Sequence, residues 1–213
     1  MWYGMWKSNL FEKSSSFDSI CGSMDEVFTE NNSGLFLIEL PTESYYETSL
    51  FTIKNLLENG FKGIYVSFQR PAKNIYSWFK QFDIDLDKVK VLDGTNESEN
   101  KNEALPKNVE RIFDKIHKNL QNVKSNKKFV FIDSITTMAL INSDSWSESF
   151  SNHLIDLKDN VNFEKIIFLV NVSKDLSEKK LVKNISSYAD GFFYIGNSKE
   201  GYSIEVVKPN VLT

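Results

Sequence analysis

The sequence predicts an α/β protein: a mainly parallel sheet with helices on both faces, closed by a C-terminal hairpin. Three observations carry this. Short apolar runs of strand length alternate with longer segments that repeat at helical spacing, the pattern of a parallel sheet with crossover helices. Leu35 to Leu40 (LFLIEL) reads as a buried strand followed directly by a helix from Tyr45 to Asn59. Near the end, Gly191 to Ile195 and Tyr202 to Val207 read as two strands folded back on each other.

Each element has its own signal. Trp2, Trp6 and Leu10 share one helix-face spacing in an opening aromatic arm, and Ser14 to Ser16 forms a turn. Phe17, Ile20, Cys21, Met24, Val27 and Phe28 recur at the helical period before the polar turn Thr29 to Gly34. After the first strand and helix, Gly60 is a natural C-cap. Gly63 to Phe68 is the second strand, and Pro71 sits at the first turn of a helix reaching Gln81. Val89 to Leu92 is a short strand, and Gly94 to Glu103 is a polar loop without an apolar residue. Val109, Ile112, Phe113, Ile116, Leu120 and Val123 mark an amphipathic helix. Phe129 to Ile132 is a strand ending at Asp133-Ser134, and Ser145 to Glu148 is a capping box that opens a helix with Trp146, Phe150, Leu154 and Leu157 inward. Ile166 to Val170 is a strand, and a short helix covers Leu176 to Tyr188. Residues 1–34 therefore read as an arm and amphipathic helix, and residues 35–213 as one domain.

The connection between the first strand and its helix carries the sharpest chemical signal. Pro41-Thr42-Glu43-Ser44-Tyr45-Tyr46-Glu47-Thr48 falls on the frame G-x-x-x-x-G-K-[ST] and keeps only the final hydroxyl residue. A loop of that kind cradles phosphates with backbone N–H groups, glycine flexibility and one lysine. Pro41 has no N–H to offer, Tyr46 places a ring where close approach is needed, and Glu47 presents a carboxylate to an anion. Like charges roughly 4 Å apart repel by about 4 kcal/mol at a surface-like dielectric. Ser44 to Glu47 also forms a capping box, which satisfies the helix start with the chain's own side chains. Glu43 and Glu47 are expected to occupy the positive potential at that helix start.

Composition narrows the remaining classes. The chain has 213 residues, 41% hydrophobic and 25% charged, which suits one globular domain with a full core. No apolar run approaches the roughly 20 residues of a membrane span, and the N-terminus lacks a signal-peptide order, so a cytoplasmic protein is expected. A net charge of −4, with Arg70 and Arg111 as the two arginines, argues against a nucleic-acid platform. Cys21 is the single cysteine, which excludes an internal disulfide or a cysteine zinc cluster and reads as packing. His117 and His153 have no second ligand at i+4, so no metal site is expected there. The lysine-rich stretches Lys124 to Lys128 and Lys174 to Lys183 read as solvated faces.

The order LFLIELPTESYYETS, GIYVSFQRP, KVKVLDGT, FVFIDSIT, IIFLVNVSKD and YADGFFYI, from Leu35 to Val207, resembles the RecA-superfamily domain of the KaiC type. That archaeal and cyanobacterial group includes the ATPase-like component of the archaeal flagellar motor. The resemblance implies a RecA-like P-loop NTPase fold with the loop strand central, and ring or stacked oligomers with nucleotide between subunits. It puts Thr48 at the metal-touching hydroxyl, Asp133 at the Walker B aspartate and Ser134 at the serine beside it. Gln69 and Arg70 stand where the family has an acidic pair that activates water; glutamine is no base and arginine reverses the charge. Where the family carries a lysine and an arginine toward a neighbour's phosphate, Lys208 is followed by Pro209 and Asn210.

Lesions at cradle, lysine and catalytic carboxylates point to one reading: a catalytically inactive KaiC-like pseudo-ATPase without cofactor. It would act as a regulatory or scaffold protein on an active relative or on itself as a homo-oligomer, with Trp2, Trp6 and Leu10 and the Gly94 to Glu103 loop as interface candidates. Asp133 and Ser134 then serve as a turn and helix start. The alternative is an atypical ATPase holding ATP and Mg²⁺ through Thr48, Asp133 and Ser134, with its lysine drawn from elsewhere, such as Lys54. A third is a DNA-associated recombination-mediator type, which the acidic balance disfavours.

Overall fold

The computed structural model describes residue 24 and residues 33–40, 45–95, 105–135, 144–160, 166–173, 180–198 and 201–207. The aromatic arm with Trp2, Trp6 and Leu10, Cys21, the loop residues Pro41 to Ser44, most of the polar loop after Gly94, the first part of the second lysine stretch and the C-terminal Lys208 to Asn210 lie outside them.

Seven strands form one sheet: β1 (Gly34–Leu40), β2 (Lys62–Ser67), β3 (Val89–Asp93), β4 (Lys128–Asp133), β5 (Ile166–Ser173), β6 (Gly191–Ser198) and β7 (Gly201–Val207). Their order is β3-β2-β4-β5-β1-β6-β7. All neighbours run parallel except β6 and β7, which form the expected antiparallel hairpin. Among the described residues the helices that pack on the sheet are α1 (Tyr45–Glu58), α2 (Ala72–Gln81), α3 (Leu105–Asn122), α4 (Asp144–Asn160) and α5 (Lys180–Ser186).

Alternation along the strands decides which helix packs where, because successive side chains leave opposite faces of a sheet. Phe36, Ile38, Tyr65, Phe129, Phe131 and Phe193 face α1 and α2, meeting Ile53, Leu56, Ile75 and Phe79. Leu35, Leu37, Ile64, Val130, Ile132 and Val170 face α3, α4 and α5, meeting Ile112, Ile116, Phe150, Leu154 and Ile185. With apolar groups on both faces, β1 and β4 are buried almost throughout. Helices therefore cover both sides, as the sequence predicts.

Local chemistry sets the boundaries. Gly60 adopts φ +82°, and the bonds Phe61 N to Leu56 O (2.9 Å) and Gly60 N to Leu57 O (3.2 Å) close α1 in a Schellman motif. Pro71 is the N-cap of α2 rather than a residue of its first turn, with the extended angles (φ −55°, ψ 144°) that proline and a cap share. Helix α4 begins at Asp144, so Ser145 lies inside its first turn instead of capping it. Lys128 departs from the expected solvated lysine face: it is buried, and its Nζ donates to the Leu120 carbonyl at 3.2 Å, a cation on the carbonyl end of α3.

Candidate functional site

In a parallel sheet the loops at the carboxyl ends of the strands converge on one rim, where such folds hold their ligands. Here that rim brings together the start of α1 after β1, Ser67 to Arg70 after β2, and Asp133-Ser134 after β4, with Ser67 and Asp133 in register as neighbours.

Asp133 is fully buried at the end of β4. The Tyr45 hydroxyl, on the first turn of α1, donates to its Oδ1. A second phenol, Tyr65 on β2, faces the same carboxyl and is positioned by stacking on Phe131 (5.4 Å, 7°) and an edge contact with Phe79. Oδ2 has no hydrogen-bond partner among the described residues. Burial pushes the Asp133 carboxyl up to about 6, against the facing hydroxyls of Tyr45 and Tyr65 and the charge of Arg70, which pull it down. Burial, and then the negative charge of Asp133, holds the Tyr65 phenol well above its ordinary value. Ser134, also buried, has φ +48°, the left-handed turn that carries the chain from β4 to helical Ile135.

A second cluster lies beside the first. The half-buried Tyr46 hydroxyl accepts a hydrogen bond from Arg70 Nε (2.9 Å) and donates to Gln69 Oε1 (3.3 Å). The Arg70 guanidinium stacks over the Tyr46 ring and over the Trp78 ring, 4.5 Å from each centroid. Tyr46 and Trp78 meet each other edge-on at 4.6 Å, and Tyr45 meets Tyr46 edge-on at 5.2 Å. The Arg70 backbone N–H donates to Ser67 Oγ at 3.2 Å, which ties the turn after β2 to the strand it leaves.

The structure thus joins residues the sequence reading treated separately. The residue at the second glycine position of the loop frame, Tyr46, bonds to both residues at the acidic-pair positions, Gln69 and Arg70. Glu47 lies in the first turn of α1, half-buried, and Thr48 is buried one residue on. Thr48 and Asp133 are the positions available to a metal. Lys54 is exposed, about 13 Å of helix rise beyond Tyr45, so it does not supply a phosphate-binding cation at the helix start. His117 meets Gln121 on the surface and His153 stacks on Phe113; among the described residues no group of three metal-binding side chains occurs. No helix of the described residues is long and apolar enough to cross a membrane.

Tyr45, Tyr65 and Trp78 were not singled out from sequence. Tyr45 is adjacent to the loop position already in question, and the Tyr-Tyr pair at a phosphate-loop frame was the available signal. Tyr65 reads as an ordinary inward strand residue, and nothing local distinguishes Trp78 from a helix-face aromatic.

Comparison with known proteins agrees with this architecture. The family model of the KaiC ATPase matches residues 48–207, starting at the last position of the loop frame. No curated protein matches the chain in sequence. A KaiC-like protein from the hyperthermophilic archaeon Pyrococcus horikoshii OT3 shares the fold at TM-score 0.56 and 15% identity, over 83% of this chain and 79% of its own. An uncharacterized protein from Pyrococcus horikoshii, solved in complex with an unknown peptide, shares it at TM-score 0.57 and 13% identity, over 83% of each chain. With a match spanning most of its length and a sheet of RecA type, the chain belongs to the KaiC family of RecA-superfamily ATPase domains.

Proposed function

We propose that this KaiC-family chain is a pseudo-ATPase that works through protein contacts, its nucleotide site filled by its own side chains. The observation that carries the reading is the pairing of the loop with the chemistry it once faced: Tyr45 bonds Asp133, and Tyr46 bonds Gln69 and Arg70. The fold family implies ATP and Mg²⁺, and the residues here do not fit the triphosphate. A proline without an N–H, a tyrosine ring and a glutamate occupy three positions that a phosphate cradle needs. Gln69 and Arg70 supply no base for water. A regulatory or scaffold role toward an active relative or another copy of this chain is what a retained fold with loop residues paired to its own side chains supports. The Pyrococcus neighbour solved with a peptide adds support for this fold as a peptide-binding frame.

A second reading has one observation in its favour. The unpartnered Oδ2 of Asp133 is what a metal ligand looks like before its metal arrives, and Thr48 is the neighbouring hydroxyl residue of the motif. Titration with Mg·ATP, followed by calorimetry and thermal shift, separates the two. A ligand at a hundred times its dissociation constant stabilises the fold by about 2.7 kcal/mol. The pseudo-ATPase reading expects no heat and no shift at millimolar ATP; a response that disappears in Asp133→Ala would replace it with an atypical nucleotide site.

A further inference from the structure

We propose that Arg70, clamped between Tyr46 and Trp78, is a docking anchor that takes a carboxylate from an acidic segment of a partner protein. The inference rests on the reading of the site as free of nucleotide and names the chemistry of the partner.

The anchor is built from position upward. Arg70 leaves the end of β2 with its backbone N–H bonded to Ser67 Oγ (3.2 Å), so the base of the side chain is fixed. Its Nε is held by the Tyr46 hydroxyl (2.9 Å), and its plane is held by two rings at 4.5 Å. A guanidinium has five N–H donors; with Nε used, four remain on the two Nη groups. Among the described residues these make no hydrogen bond or ion pair: the hydrogen bonds of Arg70 go to Tyr46 and Ser67, its plane rests on Tyr46 and Trp78, and the buried Asp133 feels its charge without pairing with it. The fork is therefore planar, pre-organised and unused.

That fork selects its ligand. Two adjacent Nη groups match the two oxygens of a carboxylate, and an arginine already stacked loses little freedom on binding. A lysine would give a point charge without the plane, and the chain uses lysine for nearly all its 25 basic residues, keeping arginine at positions 70 and 111. Tyr46, Gln69, Arg70 and Trp78 are all half-buried, open enough to be touched and packed enough to stay ordered. Tyrosine, tryptophan and arginine are the side chains that dominate protein interface hot spots.

The two arginines give a direct readout. Full-length protein labelled with ¹⁵N-arginine has two Nε–H signals, and it is titrated with an acetylated Glu-Leu-Glu-Glu-Leu-Glu peptide, its Gln counterpart, inorganic phosphate and Mg·ATP. The expected result is a saturable shift of the Arg70 signal with the Glu peptide alone, while Arg111 stays in place. Fluorescence anisotropy of the labelled Glu peptide should show affinity reduced at least tenfold in Arg70→Lys, which keeps the charge and loses the plane, and in Trp78→Leu. Arg70→Lys changes a half-exposed side chain, so its fold is checked by its thermal transition, and it decides the matter if Trp78→Leu fails to fold. Equal shifts of both arginines would reduce the effect to diffuse charge attraction and overturn the proposal, as would no shift at millimolar peptide. Phosphate moving Arg70 where the peptide does not would make this a phosphate site and overturn it too. Mg·ATP binding would refute the nucleotide-free reading on its own, and the peptide arm would still judge the anchor.

Discussion

Asp133 bears a buried negative charge that the fold only half compensates. One oxygen accepts from Tyr45 and the other has no hydrogen-bond partner among the described residues, so desolvation outweighs the stabilising contacts and its pKa rises to about 6. The sign of the stability effect follows from linkage. Between the unfolded value of 3.8 and the folded value of about 6 the native state holds the proton more tightly, so stability contributed by this group is full below the lower value and lost as pH rises through the upper one. The loss amounts to about 3 kcal/mol at neutral pH. Asp133→Asn keeps an acceptor for Tyr45 and cannot ionise. Urea unfolding at pH 4.5, 6 and 7.5 should show the variant gaining on the parent as pH rises, with the gap levelling above pH 7. A gap independent of pH would mean that Asp133 does not titrate in this window.

The elements explain which parts of this arrangement a linear reading reaches. Strand β4 was legible because Phe129 to Ile132 is continuously apolar and both its faces are covered. Gly60 was legible as a C-cap because a left-handed residue after a periodic helix is most often glycine. The pairing of Tyr46 with Arg70 was not legible, since the two are 24 residues apart, and that of Tyr45 with Asp133 spans 88. Nothing in local periodicity reports which loop ends a sheet brings together; strand order does, and strand order is a property of the fold. Two glycines put the contrast to the test. At Gly60 an added Cβ meets nothing within 4 Å, so Gly60→Ala costs only the left-handed conformation, about 1–2 kcal/mol. At Gly63, where β2 lies against β4, the Cβ would drive into the Phe129 carbonyl and ring, and Gly63→Ala should cost about 3 kcal/mol. Chemical denaturation of both variants checks the ranking; equal losses would show that β2 can shift away from β4.

At the scale of the whole molecule, the side chains at the loop-frame and acidic-pair positions form one connected structure rather than separate substitutions. Tyr45 and Tyr46 rise from α1, Gln69 and Arg70 follow β2, Asp133 ends β4, and Trp78 completes the contact from α2. Changing the loop leaves the identities of Gln69, Arg70 and Asp133 as they are, which predicts how far a reversal can go. A variant carrying Pro41→Gly, Ser44→Gly, Tyr46→Gly and Glu47→Lys regains the glycines and the lysine of a phosphate cradle and removes the carboxylate that repels the anion. It also frees Arg70 Nε and removes one of the two rings that hold its plane. Such a protein should gain Mg·ATP affinity, seen as a rise in Tm with nucleotide, yet leave phosphate release at background, because Gln69 and Arg70 still offer no base to the attacking water. By the same loss it should forfeit the carboxylate-binding property assigned to Arg70. If ATP raises Tm and peptide binding survives, the two properties belong to separate sites. If neither nucleotide affinity nor peptide loss appears, then the barrier to nucleotide lies elsewhere, and Tyr45 on Asp133 is the remaining contact to remove.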